Sequence, residues 1–291
     1  MVTNYVANMM IQPGKSPVFA NPKNYGLDYE DVTFKAEDGV KLSGWLIKGS
    51  KDKIIIQSHF GVQCSRSGYT PEGKGMIKLW NERIDFLRQA KYLVDAGYSV
   101  LMYDFRNHGN SGTSERPWVS WGPEEGKDVR AAVEYISGHP DYHDSNIGLL
   151  SICMGAASST YSYGIENGLQ NYHNIKAMIA VQPLVYPDFV KAMGIPGFVA
   201  KRVNKETTKR LGFDLEHKTF LDNVRDITVP TMVMQNKNDP WANSDFVQQY
   251  FDGLKGEKEM VWLDLKKSRA AAYDYIGRES KEVLRFFMKY V

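Results

Sequence analysis

Along this chain the apolar residues recur at two spacings, and the switches between them outline a fold. Over Asp31 to Gly49 (DVTFKAEDGVKLSGWLIKG) apolar and polar side chains alternate on either side of Glu37-Asp38-Gly39, the pattern of two antiparallel strands joined by a turn. Lys53 to His59 (KIIIQSH) is instead apolar without alternation, as expected of a parallel strand buried on both faces. From Leu79 the period lengthens. Leu79, Ile84, Leu87, Ala90, Tyr92 and Leu93 form one stripe ended by Gly97, which predicts a helix across the span. Further strands are predicted at 99–103, 147–150, 175–181, 231–235 and 260–263, and helices at 124–137, 154–167, 244–254 and 280–289. Strands that alternate with helices predict an α/β fold, here a mostly parallel eight-stranded sheet with helices on both faces.

One stretch breaks the rhythm. Tyr186 to Val224 is rich in Lys and Arg and is interrupted by Gly194-Ile195-Pro196-Gly197; it reads as a small helical cap, 186–224, inserted into one domain spanning 1–291. No internal repeat or low-complexity tract argues for a second unit. Composition changes the picture little, since 43% apolar and 24% charged residues are ordinary for a globular protein. A net charge of +2 with both signs interspersed offers no field for nucleic acid. No run approaches the roughly 20 apolar residues that span a bilayer, and MVTNYVANMMIQPGKSP lacks the cationic start and apolar core of a secretory leader. The expectation is a cytoplasmic protein with no nucleic-acid or membrane partner; a homodimer stays open. Cys64 and Cys153 sit in no metal-type spacing and read as thiols. GxGxxG, phosphate-loop and clustered metal-ligand patterns are missing, so no cofactor and no metal is implied.

Candidate chemistry is sharpest in IGLLSICMGAASS, where a strand runs into Ser151-Ile152-Cys153-Met154-Gly155 and then a helix of small residues. Small residues two before and two after a nucleophile permit a tight strand-to-helix turn, the nucleophile elbow. Such a turn places the Cys153 sulfur at the helix N-terminus, whose free N–H groups favour thiolate, with the Met154 amide as an oxyanion donor. A buried structural cysteine is the plainer alternative.

YDFRNHGNSG (Tyr103 to Gly112) resembles the YDxRGHGxS signature of the α/β-hydrolase superfamily, and Cys153 falls one strand later, where that family has its nucleophile. The opening hairpin, His59-Phe60-Gly61 and Asn238-Asp239-Pro240 follow in the same order, so the resemblance runs over nearly all of Tyr29 to Val291. Within the superfamily the chain is similar to the dienelactone-hydrolase-like and esterase/acyltransferase-like branch. The resemblance implies that the Phe60 amide is the second oxyanion donor, that His59 serves or only braces that loop, that Asp239 is the acid member, and that His108 supports the site. Asp239 alternatively makes an Asx turn or caps the helix at Ser244.

The sequence departs from the family at one position that matters. The family places a histidine beyond the last strand, yet none occurs from Lys218 to Val291. In MVWLDLKKSRAAAYDYIGR the HxxxYD spacing puts that position at Arg269, or at Ala270 with a shift of one. Either arginine is used there, or a histidine has been removed from a SRHAAYD-like segment. Arginine stays protonated and cannot be a general base, but a thiol beside a guanidinium needs none for attack. Arg269 paired with Asp239 is equally well a buried salt bridge that does no chemistry. Arg66 and Tyr69, in the loop carrying Cys64, lie where substrate would enter, Arg66 suiting a carboxylate or phosphate unless it braces the loop. Cys64 is within conceivable reach of Cys153 as a redox pair, and Trp118, Trp121 and Trp241 line a pocket or pack the core. Together these residues predict an acyl hydrolase or transferase acting on a small acyl substrate (activated ester, thioester or lactone) through a Cys153 thioacyl intermediate. A catalytically impaired member of the family that binds a ligand is the rival reading.

Overall fold

The computed structural model describes residues 2–14 and 16–291. Helix α1 (Val2–Ile11) precedes the hairpin of β1 (Tyr29–Lys35) and β2 (Lys41–Ile47), whose turn holds Gly39 at φ +82°. Next come β3 (Lys53–Ser58), the two-residue strands β4 (Gly68–Tyr69) and β5 (Ile84–Asp85), α2 (Leu87–Asp95), β6 (Ser99–Tyr103), α3 (Glu125–Ser137), β7 (Asn146–Ile152) and α4 (Met154–Tyr163). The second half carries β8 (Ile175–Val181), α5 (Tyr186–Ala192), α6 (Gly197–Leu211), α7 (Leu221–Val224), β9 (Thr231–Asn236), α8 (Ser244–Gly253), β10 (Lys258–Leu263), α9 (Ala270–Arg278) and α10 (Lys281–Tyr290).

Eight strands form one sheet in the order β1-β2-β6-β3-β7-β8-β9-β10. Strand β2 runs antiparallel to both its neighbours, and every other pairing is parallel. The central strands are β-branched or leucine-rich because helices cover both faces: Ile54, Ile55, Ile56, Val100, Leu101 and Ile179 are fully buried. This is the sheet that the alternation of periods predicts, and the strand at 175–181 has the bounds expected of it.

Elsewhere the structure corrects the expected elements. The helix anticipated from Leu79 begins only at Leu87, because Ile84 pairs with Tyr69 across the β4–β5 ribbon. Leu79 and Ile84 shared a helical spacing by coincidence; each is drawn inward from irregular chain. Helix α4 stops at Tyr163 and not Asn167, capped by Gly164, and Asn167 itself lies in the left-handed region at φ 55°. Two helices went unpredicted. In α9 the run AAAYDYIG has high helix propensity but a weak stripe, and α1 has no acidic first turn or basic last turn to mark its ends. Helix α1 lies against α6, where the Arg210 guanidinium donates to the side chains of Asn8 and Asn4.

The elbow depends on two chain segments passing almost in contact. A Cβ built on Gly155 would lie 2.4 Å from the Ser58 carbonyl oxygen at the end of β3, and a backbone atom cannot swing aside as a side-chain tip can. We expect Gly155→Ala to lower stability by about 1–3 kcal/mol through overpacking, read as a lower urea midpoint at unchanged slope. An unchanged midpoint would mean that the approach is looser than this.

Candidate active site

Strand β7 ends at Ile152, and the next residue, Cys153, takes φ 53° and ψ −105° before α4 begins. A non-glycine residue held at positive φ carries strain that its surroundings must hold in place. Here the Cys153 N–H donates to the Val181 carbonyl (2.8 Å), while the Cys153 carbonyl receives the Ala156 and Ala157 amides (2.9 and 3.1 Å). Ser151, buried under the turn, bonds Ser159 on α4 (2.8 Å). The side chain of Cys153 is left 5% exposed, lining a cavity at the C-terminal ends of the strands. Among the described residues the Met154 amide donates to no backbone acceptor outside regular structure, whereas the Phe60 amide is directed toward the buried Cys64 sulfur.

A second cluster closes on the sulfur from β9, β8 and α9. Asp239 follows β9, and its carboxylate accepts Arg269 Nη1–H in an ion pair whose side chains are both fully buried. Asp239 also accepts the Trp241 amide (3.0 Å), so the Asx turn and the ion pair coexist in one residue. The N-cap of α8 is Asn243. Arg269 spends its other donors on the Gln182 carbonyl and on the Tyr273 hydroxyl oxygen, the latter through Nε at 2.7 Å. Gln182, just past β8 and itself at φ 50°, returns a bond from its amide to the Arg269 carbonyl (2.8 Å). The Arg269 guanidinium and the Tyr273 phenol lie close enough to Cys153 to interact electrostatically with it, and Tyr273 lines the same cavity as the sulfur. Burial opposes the arginine's charge, but Asp239, Tyr273 and Cys153 outweigh it and leave its pKa above the ordinary value. Burial also lifts the Tyr273 phenol well above its ordinary value, with Arg269 pulling the other way.

No protein-family model matches the sequence. The solved structure of the Pyrococcus furiosus esterase Pf2001 superposes with a TM-score of 0.71 at 24% identity, over 97% of this chain and 98% of that one. A dienelactone hydrolase of Anabaena variabilis gives 0.59 at 15% identity, over 91% of this chain and 99% of that one. Among curated proteins, an uncharacterized protein of Mycobacterium tuberculosis is 23% identical over 215 residues, which is 72% of this chain and 61% of that protein. The polyketide transferase af380 of Aspergillus fumigatus is 26% identical over 164 residues, 56% of this chain and 48% of that protein. The chain therefore spans less than two thirds of the length of the curated relatives it matches. The fold is the α/β-hydrolase fold.

In this α/β-hydrolase sheet several candidate residues lie away from the sulfur. Arg66 turns from the cavity into a buried ion pair with Asp104, and its guanidinium lies 4.3 Å over the Trp45 ring. Tyr69 is buried, giving its hydroxyl hydrogen to the Trp80 carbonyl (2.9 Å) and accepting the Trp80 amide (3.1 Å). Both act as braces in place of the expected substrate contacts: the partner of Arg66 lies 38 residues away and that of Tyr69 in the following loop, and spacing reveals neither. Trp118 lines a different surface pocket, whereas Trp121 and Trp241 do line the Cys153 cavity. Ala270, fully buried at the first position of α9, presents no functional group. Cys64 and Cys153 are both free, and burial pushes the Cys64 thiol well up.

His59 braces the loop after β3. Its Nδ1–H donates to the Phe60 carbonyl (2.6 Å) and its Nε2 accepts the Phe105 amide (3.1 Å), so the neutral ring is fully used. His108 likewise donates Nδ1–H to the Arg106 carbonyl (2.8 Å) and packs 5.4 Å from His59, centroid to centroid. Residues that the sequence reading passed over complete the site: Trp80, stacked on Trp241 at 5.6 Å, with Leu184, Phe189 and Tyr273, close the cavity to about 10 Å³, room for roughly one water. Tyr273 was legible only as a spacing marker beside Asp274, and Gln182 only as a polar residue directly after a strand.

No metal-binding group of three or more His, Cys, Asp or Glu occurs among the described residues, and none of their helices is long and apolar enough to cross a membrane.

The ion pair and the buried histidine each yield a measurable outcome. Asp239→Ala strands the buried guanidinium and should cost about 3–5 kcal/mol in urea unfolding; a loss below roughly 1 kcal/mol would place water at the pair. His59 is held at a pKa of about 3, chiefly by burial and then by His108. Its native pKa is below the unfolded value, so its contribution is fully present above about pH 6.5 and is lost as pH falls toward 3. Between pH 7.5 and 5.5 the unfolded chain gains a proton at this site that the native chain refuses. Stability should drop by about 1 kcal/mol through His59 alone, and His59→Gln should remove that part of the slope.

Proposed function

We propose that this protein is an acyl hydrolase or acyltransferase that carries its acyl group as a thioester on Cys153. The observation that supports the reading best is the elbow: a cysteine at φ 53°, at the start of α4, lining one cavity with Tyr273, close to the Arg269 guanidinium, and with the Met154 amide donated to no backbone acceptor outside regular structure. The positive charge of Arg269 and the N-terminus of α4 both favour negative charge developing at the reacting atoms. The thiolate attacks the substrate carbonyl carbon, the Met154 amide receives the oxyanion, and collapse expels the leaving group. Water or another acceptor then takes the acyl group and frees the sulfur.

Arg269 keeps its proton throughout, so it orients and stabilises and takes no proton from water. Leaving groups that are stable as anions suit such a site, which favours thioesters, activated esters and lactones. The tight aromatic walls around Cys153 favour a short apolar acyl group. Neighbours named esterase and dienelactone hydrolase, and a relative named polyketide transferase, are in keeping with acyl chemistry of this general kind.

A second reading, a ligand-binding protein with an impaired triad, is favoured by one observation: the nearest buried histidines, His59 and His108, are committed to backbone partners. Incubation with p-nitrophenyl acetate separates the two. A burst of nitrophenolate matching the enzyme in amount, with an acetyl adduct mapped to Cys153 and lost in Cys153→Ala, is the expected outcome. Absence of any adduct between pH 6 and 10, a range that brackets the ordinary thiol value of about 8.5, would leave the binding reading standing.

A further inference from the structure

A thiolate nucleophile solves the attack but leaves open which group protonates the leaving atom. Among the described residues the histidines near the site do not serve: His59 is bonded at both ring nitrogens, and His108, with Nδ1 on the Arg106 carbonyl and Nε2 unpartnered, is buried away from the residues that line the Cys153 cavity. Tyr273 is placed differently. Its ring is stacked on Phe60 at 4.9 Å with planes 15° apart, which fixes it against the loop after β3, and it lines the same cavity as Cys153. Its oxygen accepts the Arg269 Nε–H at 2.7 Å, while Nη1 and Nη2 of that arginine are held by Asp239 and Gln182. With the Arg269 Nε–H donated to it, the phenolic oxygen keeps its own hydrogen for another acceptor, and Cys153 is close enough to act on the phenol.

We propose that Tyr273 is a catalytic residue that shuttles the proton between the leaving atom and water, the task that the missing histidine would otherwise perform. The inference rests on the thioacyl reading above and adds the group that completes its cycle. In acylation the C–S bond forms, the tetrahedral oxyanion collapses, and the C–O bond to the leaving oxygen breaks as that oxygen takes the Tyr273 proton. The phenolate left behind lies against the Arg269 charge. In deacylation it removes a proton from water as the hydroxide oxygen bonds to the acyl carbon, and the C–S bond breaks to restore thiolate and phenol. One ester and one water become one acid and one alcohol, and no oxidant or reductant is needed. Burial and Arg269 act in opposite directions on the phenol, which holds the proton at rest yet supports the transient anion.

The test exploits the leaving group. Single-turnover acylation of Cys153, followed by intact mass, is measured with the p-nitrophenyl and methyl esters of one short acid. Nitrophenolate needs no proton and methoxide does, so Tyr273→Phe should leave the first rate within about threefold and lower the second by about 100-fold or more. Tyr273→3-fluorotyrosine keeps the shape and the O–H, and should restore the methyl ester; it also serves if the Phe variant does not fold. Equal loss for both esters, no loss for either, or a wild type that accepts only the nitrophenyl ester would each overturn the proton role. A wild type that acylates with neither ester would sink the Cys153 reading itself, and is told apart because no variant is needed to see it.

Discussion

The buried pair between Arg269 and Asp239 is the interaction on which the site's shape depends. It ties the loop after β9 to the first turn of α9, and through Gln182 it reaches the end of β8 as well. Two charges removed from water are expensive, and the attraction between them offsets that cost only when the remaining donors and acceptors are also satisfied. Here they are: the carboxylate has the Trp241 amide besides the guanidinium, and the guanidinium has a carbonyl and a phenol. The consequence is geometric. One rigid fork places Tyr273, Trp241 and its own positive charge around a single sulfur.

Polar groups elsewhere in the upper part of the sheet follow the same logic and free the sulfur's neighbourhood for apolar walls. Arg106, fully buried, is held by Asp128, Asp38 and Glu124, and Arg66 by Asp104. These pairs lock the loop after β6 and the loop after β3, which in turn carry the two histidines. Both histidines are buried, His59 bonded at both nitrogens and His108 at Nδ1 alone, and among the described residues neither lines the Cys153 cavity. Arg269, a fixed positive charge paired with Asp239, stands where the resemblance places a histidine.

Aromatic rings enclose the sulfur. Trp80 stacks on Trp241, Phe189 packs edge-on against Trp241 at 5.4 Å, and Phe60 stacks on Tyr273. Trp80 is positioned in turn by both atoms of the Tyr69 hydroxyl group. Beyond Trp241 an open pocket of about 640 Å³ reaches the surface, lined by polar residues such as Asp188, Lys191 and Asn243. The same indole thus forms a wall of the closed inner cavity and of this outer one.

By itself the sequence determined the order of elements, the parallel sheet and the sharp turn at Cys153, because each of these is a local matter. Period-two and period-3.6 patterns report which face of a segment is buried, and small residues at 151 and 155 permit only one kind of bend. The pairing of Asp239 with Arg269 was readable as one of two options through the resemblance, which supplied the spacing. Tertiary structure alone decided the rest. Arg66 and Tyr69 became braces because Asp104 and Trp80 arrive beside them from elsewhere in the chain. Tyr273, Trp80 and Gln182 entered the site because folding brings α9, an irregular loop and the end of β8 to one point. Sequence patterns record a residue's own burial, whereas a hydrogen-bond partner or a cavity wall is a property of two distant segments, and exists only once the sheet has set them side by side.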